Sequence, residues 1–395
     1  MISDRMTKFS ITPIAALMEK TVQLRNEGKD VITLHNGEPD FATPDYIKLA
    51  GIDAILKNKT KYTLAPGTVD LRKAIANKLQ KENNLNYNYT QICVCSGAKP
   101  AIYNSIMAIA NPGDEIVVPS PCWDSYTALI KLSGAKPVFV PTNKDNSLNL
   151  EAIEQGINSK TKAVLICTPN NPTGAVYSEA SLRKLAEIIC KHDIYVIVDE
   201  IYEKIIYDNE KHFSIGSISP EVFEHTITIN GFSKTYSMTG WRMGYAAAND
   251  EVSKAIIMMQ TLSSSNANSI AQYACQMALE GPQEDTAKMV KEYDRRRKYL
   301  IERLNNIKGI SCVMPKGAFY AYPDVTAFYG SVYKGKKIES SSDWANFILD
   351  AAQVVLVPGE AFNNPGGNVR IAYCYSMAEI EEAMNRIEKA LTLLD

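Results

Sequence analysis

From Gln91 onward the chain is punctuated by seven short apolar, β-branched runs, at residues 92–95, 115–119, 137–140, 163–167, 194–198, 226–229 and 244–248. They read as short, continuous runs of apolar and β-branched residues, the pattern of strands in a sheet covered on both faces. Amphipathic stretches separate several of them. After Ser178, a natural N-cap, Leu182, Leu185, Ala186, Ile188 and Ile189 fall on one helical stripe, opposite Glu179, Arg183, Lys184 and Glu187. After Thr68, Leu71, Ile75 and Leu79 do the same. Strands of this kind alternating with helices predict an α/β fold, a mostly parallel seven-stranded sheet with helices on both faces.

A chain of 395 residues exceeds the size at which single cores stop growing, so two domains are expected. The pattern changes after Gly281-Pro282. A long charged helix at 285–304 precedes strands at 311–315, 318–322 and 354–357 and a closing helix at 377–394, which predicts a smaller α+β domain. We expect residues 46–282 to form the large domain and residues 1–45 and 283–395 the small one. The Lys, Ser and Gly-rich stretch 330–342 reads as an exposed loop.

A formal net charge of −2 and a pI near 6.2 give no electrostatic reason to bind nucleic acid or an acidic membrane. The N-terminus lacks the apolar core of a secretory signal, and no stretch approaches the roughly 20 apolar residues of a membrane span. The expectation is a cytoplasmic protein. The eight cysteines show no Cys-x-x-Cys spacing and there are only four histidines, so buried thiols are expected, with no metal site and no disulfide.

In an open α/β sheet ligands bind beyond the carboxyl ends of the strands. The residues there are specific. Ser96-Gly97-Ala98-Lys99 opens a helix, presenting free N–H groups to an anion. Pro121-Cys122-Trp123, Thr168-Pro169-Asn170-Asn171, Asp199-Glu200-Ile201-Tyr202 and Ser233-Lys234 follow four other runs, and Arg242 precedes the seventh. Taken singly, each is compatible with an ordinary turn, an N-cap or a solvated charge.

In order, and together with Asn36-Gly37-Glu38-Pro39-Asp40-Phe41, Tyr62, Pro66-Gly67 and Val369-Arg370-Ile371, these motifs resemble the class I branch of the fold-type I pyridoxal-phosphate aminotransferases over nearly the whole chain. The resemblance implies pyridoxal 5'-phosphate as cofactor, an amino acid and a 2-oxo acid as substrates, and a ping-pong aldimine/ketimine reaction. Lys234 then corresponds to the lysine that binds the cofactor and moves the proton, and Asp199 to the partner of the ring nitrogen. Asn171 and Tyr202 correspond to the donors to its phenolic oxygen. Gly97, Ala98, Lys99, Ser233 and Arg242 would surround the phosphate, and Trp123 would cover the ring. Arg370, with Gly37 and Asn171, would hold the substrate α-carboxylate. Tyr62 would reach the partner's phosphate, which implies a homodimer with shared sites. Many relatives carry a hydroxyl three positions before the lysine; here that position is Gly231, which shifts weight to Ser233 or Tyr62.

Lys99 and Trp123 match the bacterial aspartate branch, so aspartate with 2-oxoglutarate is the expected pair. Aromatic, alanine, methionine and prephenate transamination stay open, as does carbon–sulfur β-lysis on the same scaffold. A ligand-sensing domain would normally carry a DNA-binding module ahead of Asn36. No Gly-x-Gly-x-x-Gly opens a helix after a strand, against a nicotinamide dehydrogenase.

Overall fold

The computed structural model describes residues 2–7, 9, 13–364 and 366–395. Its largest sheet has seven strands: β1 (Ile92–Cys95), β2 (Glu115–Ser120), β3 (Lys136–Pro141), β4 (Thr161–Cys167), β5 (Tyr195–Asp199), β6 (Thr226–Gly231) and β7 (Gly244–Ala247). They lie in the order β1-β7-β6-β5-β4-β2-β3, and only β7 runs against its neighbours. Each expected strand is present.

Alternate residues of the central strands enter different cores. Ile197 joins the cluster that includes Ile102 and Tyr126, while Val196 and Val198 join the one that includes Leu182 and Leu185. Both faces are therefore covered, which is why these strands read as unbroken apolar runs. Helix Glu179–His192 shows the local logic. Ser178 Oγ accepts from Ser181 N at 3.2 Å, and the buried residues are the five predicted from periodicity. Each of the leucines and isoleucines among them contributes about 1.5–3 kcal/mol when taken from water.

The topology gathers the strand-end motifs. β1, β2, β4, β5 and β6 all point their carboxyl ends to one edge, and antiparallel β7 begins there. Gly244 pairs with both Cys95 and Gly231, which brings the turns bearing Gly97, Lys234 and Arg242 side by side. A Cβ at Gly244 would stand 2.4 Å from Ala98 N, so only glycine allows this approach.

After the charged helix Glu284–Asn306, a three-stranded antiparallel sheet places Val369–Ala372 between Val357–Pro358 and Tyr320–Ala321. Ile32–Thr33 pairs in parallel with Val354–Val355, so the segment before the large sheet packs with elements that follow it. Two sequence expectations need correction. Residues 311–315 form a single bridge, Ser311 to Asp324, and no strand. Asn305 brackets Cys312 instead, accepting from its N–H at 2.8 Å and donating to its carbonyl at 3.2 Å, so a side-chain amide takes the place of a ladder neighbour. The stretch 330–342 is not a plain loop. It holds a hairpin, Val332–Tyr333 with Lys336–Lys337, and buries Ile338 and Ser341.

The eight cysteines are free, and all but Cys190 are buried. Among the described residues no helix is long and apolar enough to cross a membrane.

Candidate active site

The strand ends and the Val369–Ala372 strand enclose a cavity of about 300 Å³. Its lining includes Gly37, Ala98, Lys99, Trp123, Asn171, Asp199, Tyr202, Ser233, Lys234, Arg242 and Arg370. Of the site residues read from the sequence, only Gly97 and Tyr62 do not line it. Gly97 lies immediately behind, at φ 108°, and a Cβ there would meet Arg242 Nη2 at 2.6 Å. Tyr62 is 91% exposed.

Lys234 sits in the turn that ends β6, and its Nζ donates to Gly37 O at 2.6 Å. Burial lowers its pKa to about 8, with Arg370 and Arg242 pressing the same way against Cys374 and Glu38. A lysine so placed reaches its neutral, nucleophilic form more readily than one in water.

Asp199 ends β5 and is fully buried. Tyr126 Oη donates to its Oδ2 at 2.7 Å and Ile201 N to its Oδ1 at 3.2 Å. Burial nevertheless raises its pKa to about 6, because no cation is close enough to outweigh lost hydration. A positively charged donor beside it would favour the ionised form.

Arg370 donates from Nη1 to Asn171 Oδ1 at 2.9 Å and from Nη2 to His35 O. Its guanidinium lies 4.6 Å from the Tyr320 ring centroid and 4.9 Å from that of Phe362, and its buried Nε has no partner. Packed close to two aromatic rings and with donor capacity to spare, it is suited to a carboxylate fork. Tyr202 and Tyr320 share a hydroxyl hydrogen bond of 2.7 Å, and both phenols are pushed far up by burial.

Helix Ala98–Ile109 begins at the cavity with no side-chain cap and no acidic residue in its first turn. Its free N–H groups, the Ser233 hydroxyl and Arg242 make a cradle for an anion. Arg242 is oriented by its own turn, with Nη1 donating to Thr239 O at 2.9 Å. Lys99 Nζ lies 4.9 Å from the Trp123 ring centroid, and burial lowers its pKa although Asp124 opposes the shift.

Sequence reasoning missed Asn36, Tyr126, Cys167, Ile201, Thr239 and Tyr320 as lining residues. Tyr126 had a signal, since it follows Trp123 by one helical turn. Tyr320 had none: what marks it is its contact with Gly37, where a Cβ would overlap its hydroxyl at 1.9 Å.

The family profile for aminotransferase class I and II matches residues 29–387. The chain belongs to that family. It is 41% identical to a probable aspartate/prephenate aminotransferase of Aquifex aeolicus, over 99% of this chain and 98% of that one. The aspartate aminotransferase of Rhizobium meliloti superposes with a TM-score of 0.97 at 38% identity, each chain covered in full. The aromatic aminotransferase of Pyrococcus horikoshii superposes with a TM-score of 0.87 at 39% identity, over 94% of this chain and 98% of that one. As an aminotransferase, this enzyme exchanges amino groups between amino and 2-oxo acids, and the cavity at the strand ends is its candidate catalytic centre.

Proposed function

We propose that this aminotransferase holds pyridoxal phosphate in the strand-end cavity and moves the amino group of aspartate to 2-oxoglutarate. One observation carries the reading: Lys99, Lys234, Arg242 and Arg370 line a single cavity in which, among the described residues, Asp199 is the one lining carboxylate. So many cations around one acid call for ligands rich in negative charge, such as a phosphate ester and a dicarboxylic acid. The names of the Aquifex and Rhizobium relatives point the same way.

The residues fit the cofactor. The uncapped helix start, Ser233 and Arg242 suit its phosphate, buried Asp199 suits a protonated ring nitrogen, and Asn171 and Tyr202 suit its phenolic oxygen. Bound there, pyridoxal phosphate supplies an electron sink for the pair left when the substrate Cα–H bond breaks. Asp199 keeps a proton on the ring nitrogen, while Tyr126 and the Ile201 N–H hold the carboxylate in place. Arg370 grips the α-carboxylate and so orients the Cα–H bond. Lys234 Nζ, neutral once desolvated, takes the proton from Cα and later delivers it. Lys99 meets the distal carboxylate.

Treatment with borohydride tests the cofactor: the purified enzyme should be yellow, and reduction should fix the chromophore on Lys234. A protein that stays colourless with added pyridoxal phosphate removes the proposal. For the donor, aspartate should exceed alanine and phenylalanine in kcat/KM, and Lys99→Ala should cost aspartate roughly 10–100-fold while sparing alanine. Equal loss for both would reject the role of Lys99. The aromatic lining of Trp123, Tyr126, Tyr202 and Tyr320 favours a second reading, an aromatic or prephenate donor, which the same panel would reveal.

The reading includes a homodimer in which Tyr62 reaches the partner's phosphate. Its support is that helix Asp45–Leu56 leaves Leu49, Ile52, Ile55 and Leu56 exposed, a row at helical spacing, with Tyr62 and Leu64 just beyond. Light scattering should give a dimer; a fully active monomer would take Tyr62 out of the site.

A further inference from the structure

The turn after β5 has two sides. Asp199, Ile201 and Tyr202 line the cavity, while Glu200 and Glu203 point away from it into a buried polar network. Glu203 Oε1 meets Lys78 Nζ, and its Oε2 accepts from Asn83 Nδ2 at 2.7 Å. Glu200 Oε2 accepts from Ser214 Oγ at 3.0 Å and lies 3.2 Å from His212 Nε2. Asn83 ties the two together, donating also toward Glu200 Oε2 at 3.3 Å and Ser214 Oγ at 2.9 Å, and accepting from Lys78 at 2.8 Å.

Glu200, Glu203 and His212 stand close enough to suggest a metal site. The donors argue otherwise. The Lys78 ammonium lies against Glu203 and would repel a metal ion there, and the Asn83 amide already donates to both carboxylates. Burial opposes charge on His212, but Glu200 and Glu203 outweigh it and raise its pKa, so the network can balance two acids with two cations. Its members come from helix Val69–Asn83, the β5 turn and the segment before Ile215–Ser217, three elements far apart in sequence.

We infer that Lys78, Asn83, Glu200, Glu203, His212 and Ser214 form a positioning unit that clamps the back of the β5 turn and so sets where Asp199 and Tyr202 stand in the cavity. Among the described residues Glu200 Oε1 and His212 Nδ1 have no partner, but the other contacts tie three elements together, and a carboxylate facing a ligand must be held to within a fraction of an ångström to be useful. Glu200 neighbours Asp199 directly, and its amide donates to Ile229 O at 2.9 Å, so a shift of its side chain passes to the strand end through one peptide unit.

The inference rests on the reading that the cavity takes pyridoxal phosphate. Its test uses the holoenzyme and the variants Glu200→Gln and Ser214→Ala, with Arg303→Ala, which breaks a remote ion pair to Glu388, as control. Cofactor affinity is measured by fluorescence titration, ring orientation by visible circular dichroism, and stability by urea denaturation. Glu200→Gln should weaken pyridoxal phosphate about tenfold and lower the visible dichroism per bound cofactor, Ser214→Ala should do the same more weakly, and Arg303→Ala should change only the urea midpoint. Variants that lose stability yet keep affinity within about twofold and an unchanged dichroism would overturn the inference, leaving the network as scaffold alone. If Glu200→Gln does not fold, Ser214→Ala decides by the same two readouts. A wild-type protein that binds no pyridoxal phosphate would instead fail the proposed function.

Discussion

Asp199 and Glu203 are buried carboxylates four residues apart on one turn, and their proton affinities move in opposite directions. Burial raises the pKa of both. At Glu203 the Lys78 ammonium, with His212 behind it, outweighs burial and drives the pKa down. At Asp199 a phenol and one amide donate to the carboxylate and Lys234 attracts it more weakly, burial wins with Glu200 adding to it, and the pKa rises to about 6. Equal burial with unequal compensation separates two kinds of site: a matched charge belongs to the scaffold, and an unmatched one is kept for a ligand.

The harshest way to break the contrast is to unmatch the back of the turn. Lys78→Ala leaves Glu203 buried without its cation and should destabilise the enzyme by about 3–5 kcal/mol, read as a lower urea midpoint. Replacing both partners, Lys78→Met with Glu203→Met, should recover most of that loss. A single variant as stable as wild type would show that the back is not matched at all.

Relieving the front should do the reverse. Because the folded-state pKa of Asp199 lies above its unfolded value, the folded apoenzyme binds a proton that the unfolded chain has lost. Stability therefore falls as pH rises from about 4 to 6 and stays low above that window. Asp199→Asn removes this slope. In the apoenzyme the variant should match wild type near pH 4 and gain as much as roughly 3 kcal/mol at pH 7, while losing tight cofactor binding. Parallel urea curves at the two pH values would refute the claim if the difference did not grow with pH.

How far this was readable in advance depends on the reach of each signal. Continuous apolar runs betray strands covered on both faces, and all seven were visible. Residues that sit at strand ends, such as Asn171, Asp199 and Lys234, were legible because position and residue type travel together along the chain. What pairs across the fold was not. Tyr126 meets Asp199 over 73 positions and Lys78 meets Glu203 over 125, and no local pattern records either. Residues 311–315 misled for a similar reason, since their ladder is replaced by one Asn305 side chain. Glu200 and Glu203 were passed over because an acid beside an apolar strand reads as a solvated charge until a buried cation is seen behind it.

The smallest expected effect sharpens the comparison most. Tyr126 supplies the one side-chain hydrogen bond to Asp199, and Tyr126→Phe removes that donor while keeping the ring that packs edge-on against Trp123, with centroids 5.4 Å apart. The carboxylate then has only the Ile201 amide. Losing a bond to a charged group is worth about 1.5–3 kcal/mol, part of which returns if Asp199 stays protonated in the apoenzyme. The apoenzyme should therefore lose little stability at pH 5 and more at pH 8. In the holoenzyme the acid limb of kcat/KM should move to higher pH, because Asp199 must give up its proton without the help of the phenol. An unmoved acid limb would mean that the cavity-facing carboxylate is held ionised by its ligand alone, which is the strongest form of the contrast with Glu203, whose cation is built into the chain.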